Sequence, residues 1–230
     1  MKPKLKLTKT LARKILAIIK PGLSKGVGEP RPGELCIMAA FNLALGRPHG
    51  DAGLDDCVGS AVRSFDIALN DCKWSSNQAR ANGMRREAIA KIGSNRIDQA
   101  AFVELLALKV IQRVVPAALR AEANIIKYNH EHAEKIIKCA LDCESSKDLS
   151  AASAASETAS YTASYASDAA RAASAARAAS YDASYAARAA NAAASYDAGD
   201  EMLILCAKCA VEALIELKSP GCKWLALCDE

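Results

Sequence analysis

Cys36, His49 and Asp51 are the residues whose types and order come nearest to nucleophilic chemistry. Cys36 lies in the first turn of an expected apolar helix, where the positive end of the dipole would lower a thiol pKa and sharpen the nucleophile. His49 and Asp51 follow in a loop close enough in sequence to fold back and complete a cysteine–histidine–aspartate relay, although the spacing matches no protease or amidase signature. The plainer reading is a buried cysteine and a loop histidine. A second candidate is metal binding by Cys139, Cys143, Cys206 and Cys209, since four thiolates satisfy zinc. Each pair sits inside an apolar helix instead of a turn, where cysteine usually serves as a small hydrophobe. His130 and His132 fall on different helix faces. Neither a glycine-rich phosphate loop nor a hydrolase elbow is present, so the sequence implies no cofactor and leans away from catalysis.

A third candidate is electrostatic. The net charge is only +4, but Lys2, Lys4, Lys6, Lys9, Arg13, Lys14, Lys20 and Lys25 all precede the first acidic residue, Glu29. With Arg80, Arg85, Arg86 and Lys91 expected on the wetter side of a later helix, Lys4, Lys6, Lys9, Arg13, Lys14 and those three arginines make up an alternative, nucleic-acid-binding surface. No aromatic residues are interleaved for base stacking, so a solvated helix face competes with that reading.

These residues must be positioned by helices. The chain is 51% apolar and only 5% aromatic, rich in alanine and leucine, which points to an all-α multi-helix bundle. Thr8 or Thr10 caps a first helix that Pro21-Gly22 stops, and Pro32 suits the first turn of a second that ends before Gly46. A helix over about Ser60 to Cys72 and a basic one capped by Ser75 or Ser76 follow. Asp98 caps the next, which Pro116 should kink or end. A further helix is expected from about Ala117 towards Cys143, with His132, Ile136, Cys139 and Cys143 on one face. This organisation divides into a basic helix and linker at 1–30, a helical domain at 31–149, an alanine-rich helix at 150–198, and a C-terminal helix with a docked tail at 199–230, the parts from 31 onwards forming one compact body. The longest apolar runs fall short of the roughly 20 residues a bilayer span needs, and no secretory signal pattern opens the chain. The nine cysteines are therefore expected reduced, in a cytoplasmic protein without membrane contact.

Between Ala151 and Ala198 lie 24 alanines, 9 serines and 5 of the 6 tyrosines. Alanine is the strongest helix former, and a stripe at 155, 159, 163, 166, 170, 173, 176, 179, 183, 186, 190 and 194 keeps the helical repeat. No proline or glycine interrupts before Gly199, so the pattern predicts a single rod of up to about 70 Å, or, as the alternative, a folded pair of helices. Tyr161, Tyr165, Tyr181, Tyr185 and Tyr196 sit in the repeats ASYTASYA, ASYDASYA and ASYD, and such tyrosine–serine clusters offer rigid amphipathic contact area. They are candidate binding residues.

The stretches AARAASAARAAS and ASYDASYAARAA resemble tracts in bacterial and phage-borne alanine-rich proteins, some of them labelled immunity proteins. The preceding region, from PGELCIMAA through PHGD to LNDCKWSSN, is similar to a domain common to such proteins. The resemblance implies an inhibitor, immunity or phage-associated setting and carries over no functional residue. The leading expectation is a non-enzymatic protein that binds a protein partner or itself. Nucleic-acid association is the alternative, and a thiol enzyme at Cys36 a second one.

Overall fold

A computed structural model describes residues 5–126, 129–163, 168–194 and 199–230. Among them the chain is all-α, with ten α-helices and two 3-10 segments, and no helix is long and apolar enough to cross a membrane. Two compact units form: Met1–Phe102 together with Ala210–Glu230, and Val103–Cys209.

The first unit contains α1 (Lys9–Ile19), α2 (Ile37–Ala44), α3 (Ser60–Asn70) and α4 (Asn77–Ala90), with a 3-10 segment at Pro220–Cys228. Helix starts follow the capping rule, in which a side-chain oxygen takes one of the first, otherwise unpaired, amides. Leu11 N donates to Thr8 Oγ1 at 3.1 Å and Ala79 N to Ser76 Oγ at 3.0 Å. The second helix departs from expectation. Residues 31–35 are not helical, because Gly28 and Leu35 bridge and Glu29 N donates to Glu34 O at 2.8 Å. Gly28 makes this possible: at φ +72° a Cβ there would lie 1.8 Å from Glu34 O. The helix therefore starts at Ile37, with Cys36 at its N-cap. The tail docks as the sequence suggests, burying Trp224, Leu225 and Leu227 and packing on α4 and α1. Its approach is close: a Cβ on Gly221 would fall 2.0 Å from Ile89 O, and Ser219 Oγ donates to Ala90 O at 2.6 Å.

The second unit takes in most of α5 (Gln99–Ile125), then α6 (His130–Glu144), α7 (Leu149–Thr162), α8 (Asp168–Ala178) and α9 (Ser184–Ala193), and the start of α10 (Gly199–Glu216). Pro116 does not end α5, which continues to Ile125. The proline forfeits one hydrogen bond, but Val110, Val114, Val115, Ala118 and Leu119 on either side are buried, and that burial outweighs the loss.

The single alanine rod is overturned. Among its described residues the tract forms three helices, α7 to α9, each packed on the next. Ala163 ends α7 in an extended conformation, and α8 and α9 are joined by a turn in which Ser184 N donates to Asp182 Oδ1 at 2.9 Å. Ser156 Oγ reaches Ala173 O at 2.8 Å and Arg177 pairs with Glu157 at 3.5 Å, tying α7 to α8. The physical reason is area. A buried methyl contributes roughly 0.8 kcal/mol, against about 1.5–3 for a leucine-sized side chain, so a lone alanine rod has little to gain from solvent or from one neighbour. Folding back gives each alanine face another one to meet. Within the described residues most of the predicted stripe is buried, from Ala159 and Ala163 through Ala170, Ala173, Ala176, Ala179, Ala183 and Ala186 to Ala190, while Ala155 and Ala194 at its ends are half-buried and Ala152, Ala169, Ala172, Ala187, Ala189 and Ala193 beside it are buried as well.

Such a contact has no room for bulk. Ala173→Leu is expected to cost about 1–3 kcal/mol by overpacking, whereas Ser174→Ala on the exposed side should stay within about 0.5 kcal/mol of the parent. Urea unfolding followed by circular dichroism measures both.

Candidate functional site

Cys36 and Asp51 do come together. They line a cleft of about 140 Å³ in the first unit, whose apolar walls include Val27, Ile37, Met38 and Ile67. His49 is exposed and does not line it. The loop carrying Asp51 is held by Asn42, whose side-chain amide donates to Gly50 O and Ala52 O, both at 2.8 Å. On the other side Asn70 accepts from Ile37 N at 3.2 Å and donates to Ser24 O at 2.9 Å, while Asp71 accepts from Gly26 N at 2.8 Å. The end of α3 thus clamps the loop that leads into Cys36.

The thiol is not activated, which corrects the expectation drawn from its place at a helix start. Burial pushes the Cys36 pKa up, more strongly than the amides of Ala39 and Met38 pull it down, and the negative charge of Asp51 pushes the same way. Its sulfur accepts from Ala39 N at 3.3 Å, so the thiol acts as a helix cap. With burial and a neighbouring carboxylate both disfavouring the thiolate, the arrangement holds Cys36 as a thiol at neutral pH.

Cys139, Cys143, Cys206 and Cys209 are all buried, and among the described residues no group of three or more His, Cys, Asp or Glu side chains is placed to hold a metal. Cys206 instead donates to Ala186 O at 3.3 Å and Cys209 to Lys109 O at 3.7 Å. Burial raises Cys143 to about 12.

The basic candidates separate. Lys6, Lys9, Arg13 and Lys14 are exposed, with Arg13 3.6 Å from Glu230. Arg86 pairs with Asp229 at 2.9 Å, and Arg85 is half-buried beside Leu227 O. Arg80 is not on a wet face at all. It is 5% exposed, donating to Asn70 O at 2.8 Å, Leu23 O at 2.7 Å and Asn77 Oδ1 at 2.9 Å. A cation at the last carbonyls of α3 complements that helix's negative end, so Arg80 pins the loop and cannot meet phosphate.

The same correction applies to Lys91, and it exposes a group the sequence did not announce. Lys91, Asp66 and Glu87 are each fully buried. The Lys91 ammonium lies 2.8 Å from Asp66 Oδ2, 3.5 Å from Glu87 Oε2 and 4.5 Å from the centroid of the Phe41 ring. A signal existed: Glu87 and Lys91 stand four residues apart and close in phase to Met84 and Ala88, which are buried. The basic character of α4 hid it.

Among the tyrosines, Tyr161 is 66% and Tyr181 89% exposed, and Tyr185 is half-buried with the Arg188 guanidinium 4.6 Å over its ring. Lys4, Tyr165 and Tyr196 lie outside the described residues. No family model matches the chain, and no match to it is found among curated proteins or solved structures.

Native Cys36 should react with iodoacetamide at pH 7.5 more slowly than the same residue in urea-unfolded protein, and faster as pH rises. Mass spectrometry of the peptide containing Cys36 reads the rates. A native rate above the unfolded one would restore the activated thiol.

Proposed function

We propose that this protein acts without catalysis, by binding another protein or a second copy of itself through the tyrosine-bearing turns of the alanine-rich helices. The observation that carries this reading is Tyr181, a large aromatic side chain left 89% exposed in the turn between α8 and α9. The alanines around it are committed to packing α7, α8 and α9 on one another, so they offer little to a partner. The large apolar groups that the folded tract leaves exposed are tyrosines near its turns and helix ends, and Tyr161 in the last turn of α7 is of the same kind. Tyrosine supplies broad amphipathic contact at low entropic cost, which makes it a frequent anchor in protein interfaces. The inward-turned Arg80 removes one cation from the nucleic-acid alternative, and the protonated Cys36 thiol weakens the enzymatic one.

With the photo-crosslinking amino acid p-benzoylphenylalanine at position 181, irradiation in the producing cells should yield a discrete covalent adduct. The same group at exposed Lys147 serves as the control. An adduct of twice the chain mass identifies self-association, and any other discrete mass a partner to be sequenced. No adduct above the control, together with a monomer in sedimentation equilibrium, would sink the reading.

A further inference from the structure

We propose that the buried Asp66–Lys91–Glu87 cluster holds one proton between its two carboxyl groups at neutral pH, and that this proton locks the first unit, which loosens as the solution becomes alkaline. The argument is one of charge and of hydrogen-bond supply. All three side chains have no solvent exposure, so whatever charge they carry is carried inside the core. Fully ionised, they place two negative charges against one positive. A net buried charge of that kind is not sustained at low dielectric when a proton can neutralise it.

The hydrogen bonding leads to the same conclusion. Lys91 satisfies Asp66 Oδ2 at 2.8 Å and stands 3.5 Å from Glu87 Oε2, an ion-pair distance, while Asp66 Oδ1 and both Glu87 oxygens lack a well-formed hydrogen bond. The two carboxyl groups flank the same Lys91 ammonium, at 2.8 and 3.5 Å, and are therefore close neighbours. Two carboxylates cannot bond, whereas a carboxylic acid and a carboxylate can. The closer contact of Lys91 with Asp66 marks Asp66 as the anion, which leaves the proton on Glu87, donated towards Asp66. Burial first, and then the Asp66 charge, pushes Glu87 well above the ordinary carboxyl range, with Lys91 opposing. Burial also disfavours charge on Lys91, but Asp66 and Glu87 outweigh it and raise its pKa, so the ammonium persists across the same range.

The sign follows from linkage. A carboxyl whose pKa is raised on folding stabilises the fold fully below its unfolded value. It loses that stabilisation as pH climbs from there through the folded value, because unfolding then releases a proton. Other ionisable groups near α4 are few in kind. From α3 comes Asp66, from α4 come Arg80, Arg85 and Arg86 beside Glu87, and Lys91 caps the C-terminal end of α4. The thiols of Cys36 and Cys57 feel the Lys91 charge. The 3-10 segment brings Cys222 to Ala90 O and Cys228 to Arg85 O, and burial lifts Cys222 to about 11 and Cys228 above its ordinary value. The charged residues of α1, namely Lys9, Arg13 and Lys14, are exposed.

The test is Glu87→Gln, which copies the shape of the protonated acid and keeps the Asp66–Lys91 pair. Trp74 and Trp224, the two tryptophans of the chain, both lie buried in the first unit, so their fluorescence reports its unfolding. Urea titrations from pH 5 to 9 should show the wild-type unfolding constant rising against that of E87Q by about tenfold per pH unit until Glu87 ionises in the fold. A wild-type infrared band of a protonated carboxylic acid at pH 7, absent in E87Q, is the second expected result. Parallel pH profiles, or a wild-type spectrum without the acid band, would overturn the proposal, as would E87Q failing to fold at pH 6.

Discussion

Close approach of helix backbones is the constraint on which both units depend. With few aromatic residues to fill a core, the chain gains contact by bringing helices together over alanine, glycine and serine. The second unit does this through α7, α8 and α9, and the first through Gly221 seated on Ile89 O. Helix carbonyls then lie at the packing surface, where they accept second bonds from small side chains: Ser156 to Ala173, Cys206 to Ala186, Ser219 to Ala90. Serine and cysteine are thus part of the packing, which gives several of the nine cysteines a role that requires no redox or metal chemistry.

The polar residues of the first unit answer a related need. The loop from Leu23 to Cys36 has little regular structure, and its backbone groups are satisfied by Arg80, Asn70 and Asp71 reaching in from α3 and α4 and the turn between them. The cleft at Cys36 and Asp51 is a consequence of that scaffold. Its thiol caps a helix, and its carboxylate raises the thiol pKa. The same region contains the Lys91 cluster, in which an ion pair and a shared proton replace the apolar packing that α4, short of large apolar residues, does not supply.

Outward, the molecule presents a different chemistry. The alanine helices consume their own small faces, leaving polar helix sides, such as Arg171 and Ser174, and the turns accessible. Tyr161 and Tyr181 stand there with most of their surface in solvent.

Much of this fold was legible in the sequence because helix formation is local. Of the alternatives Thr8 or Thr10 and Ser75 or Ser76, Thr8 and Ser76 are the caps, Asp98 caps its helix as expected, Gly46 follows the end of α2, and most of the alanine stripe is buried. These features depend on residues three or four apart. The inward course of Arg80 and Lys91, the meeting of Asp66 with Glu87, the separation of His49 from Cys36 and the folding of one expected rod into three helices depend on partners far along the chain. A helical phase shows which residues share a face. It does not show which face meets another helix, because that is decided by the area and charge the neighbour brings. On α4, where charged and apolar residues share every side, the neighbour's Asp66 turned Lys91 into a core residue.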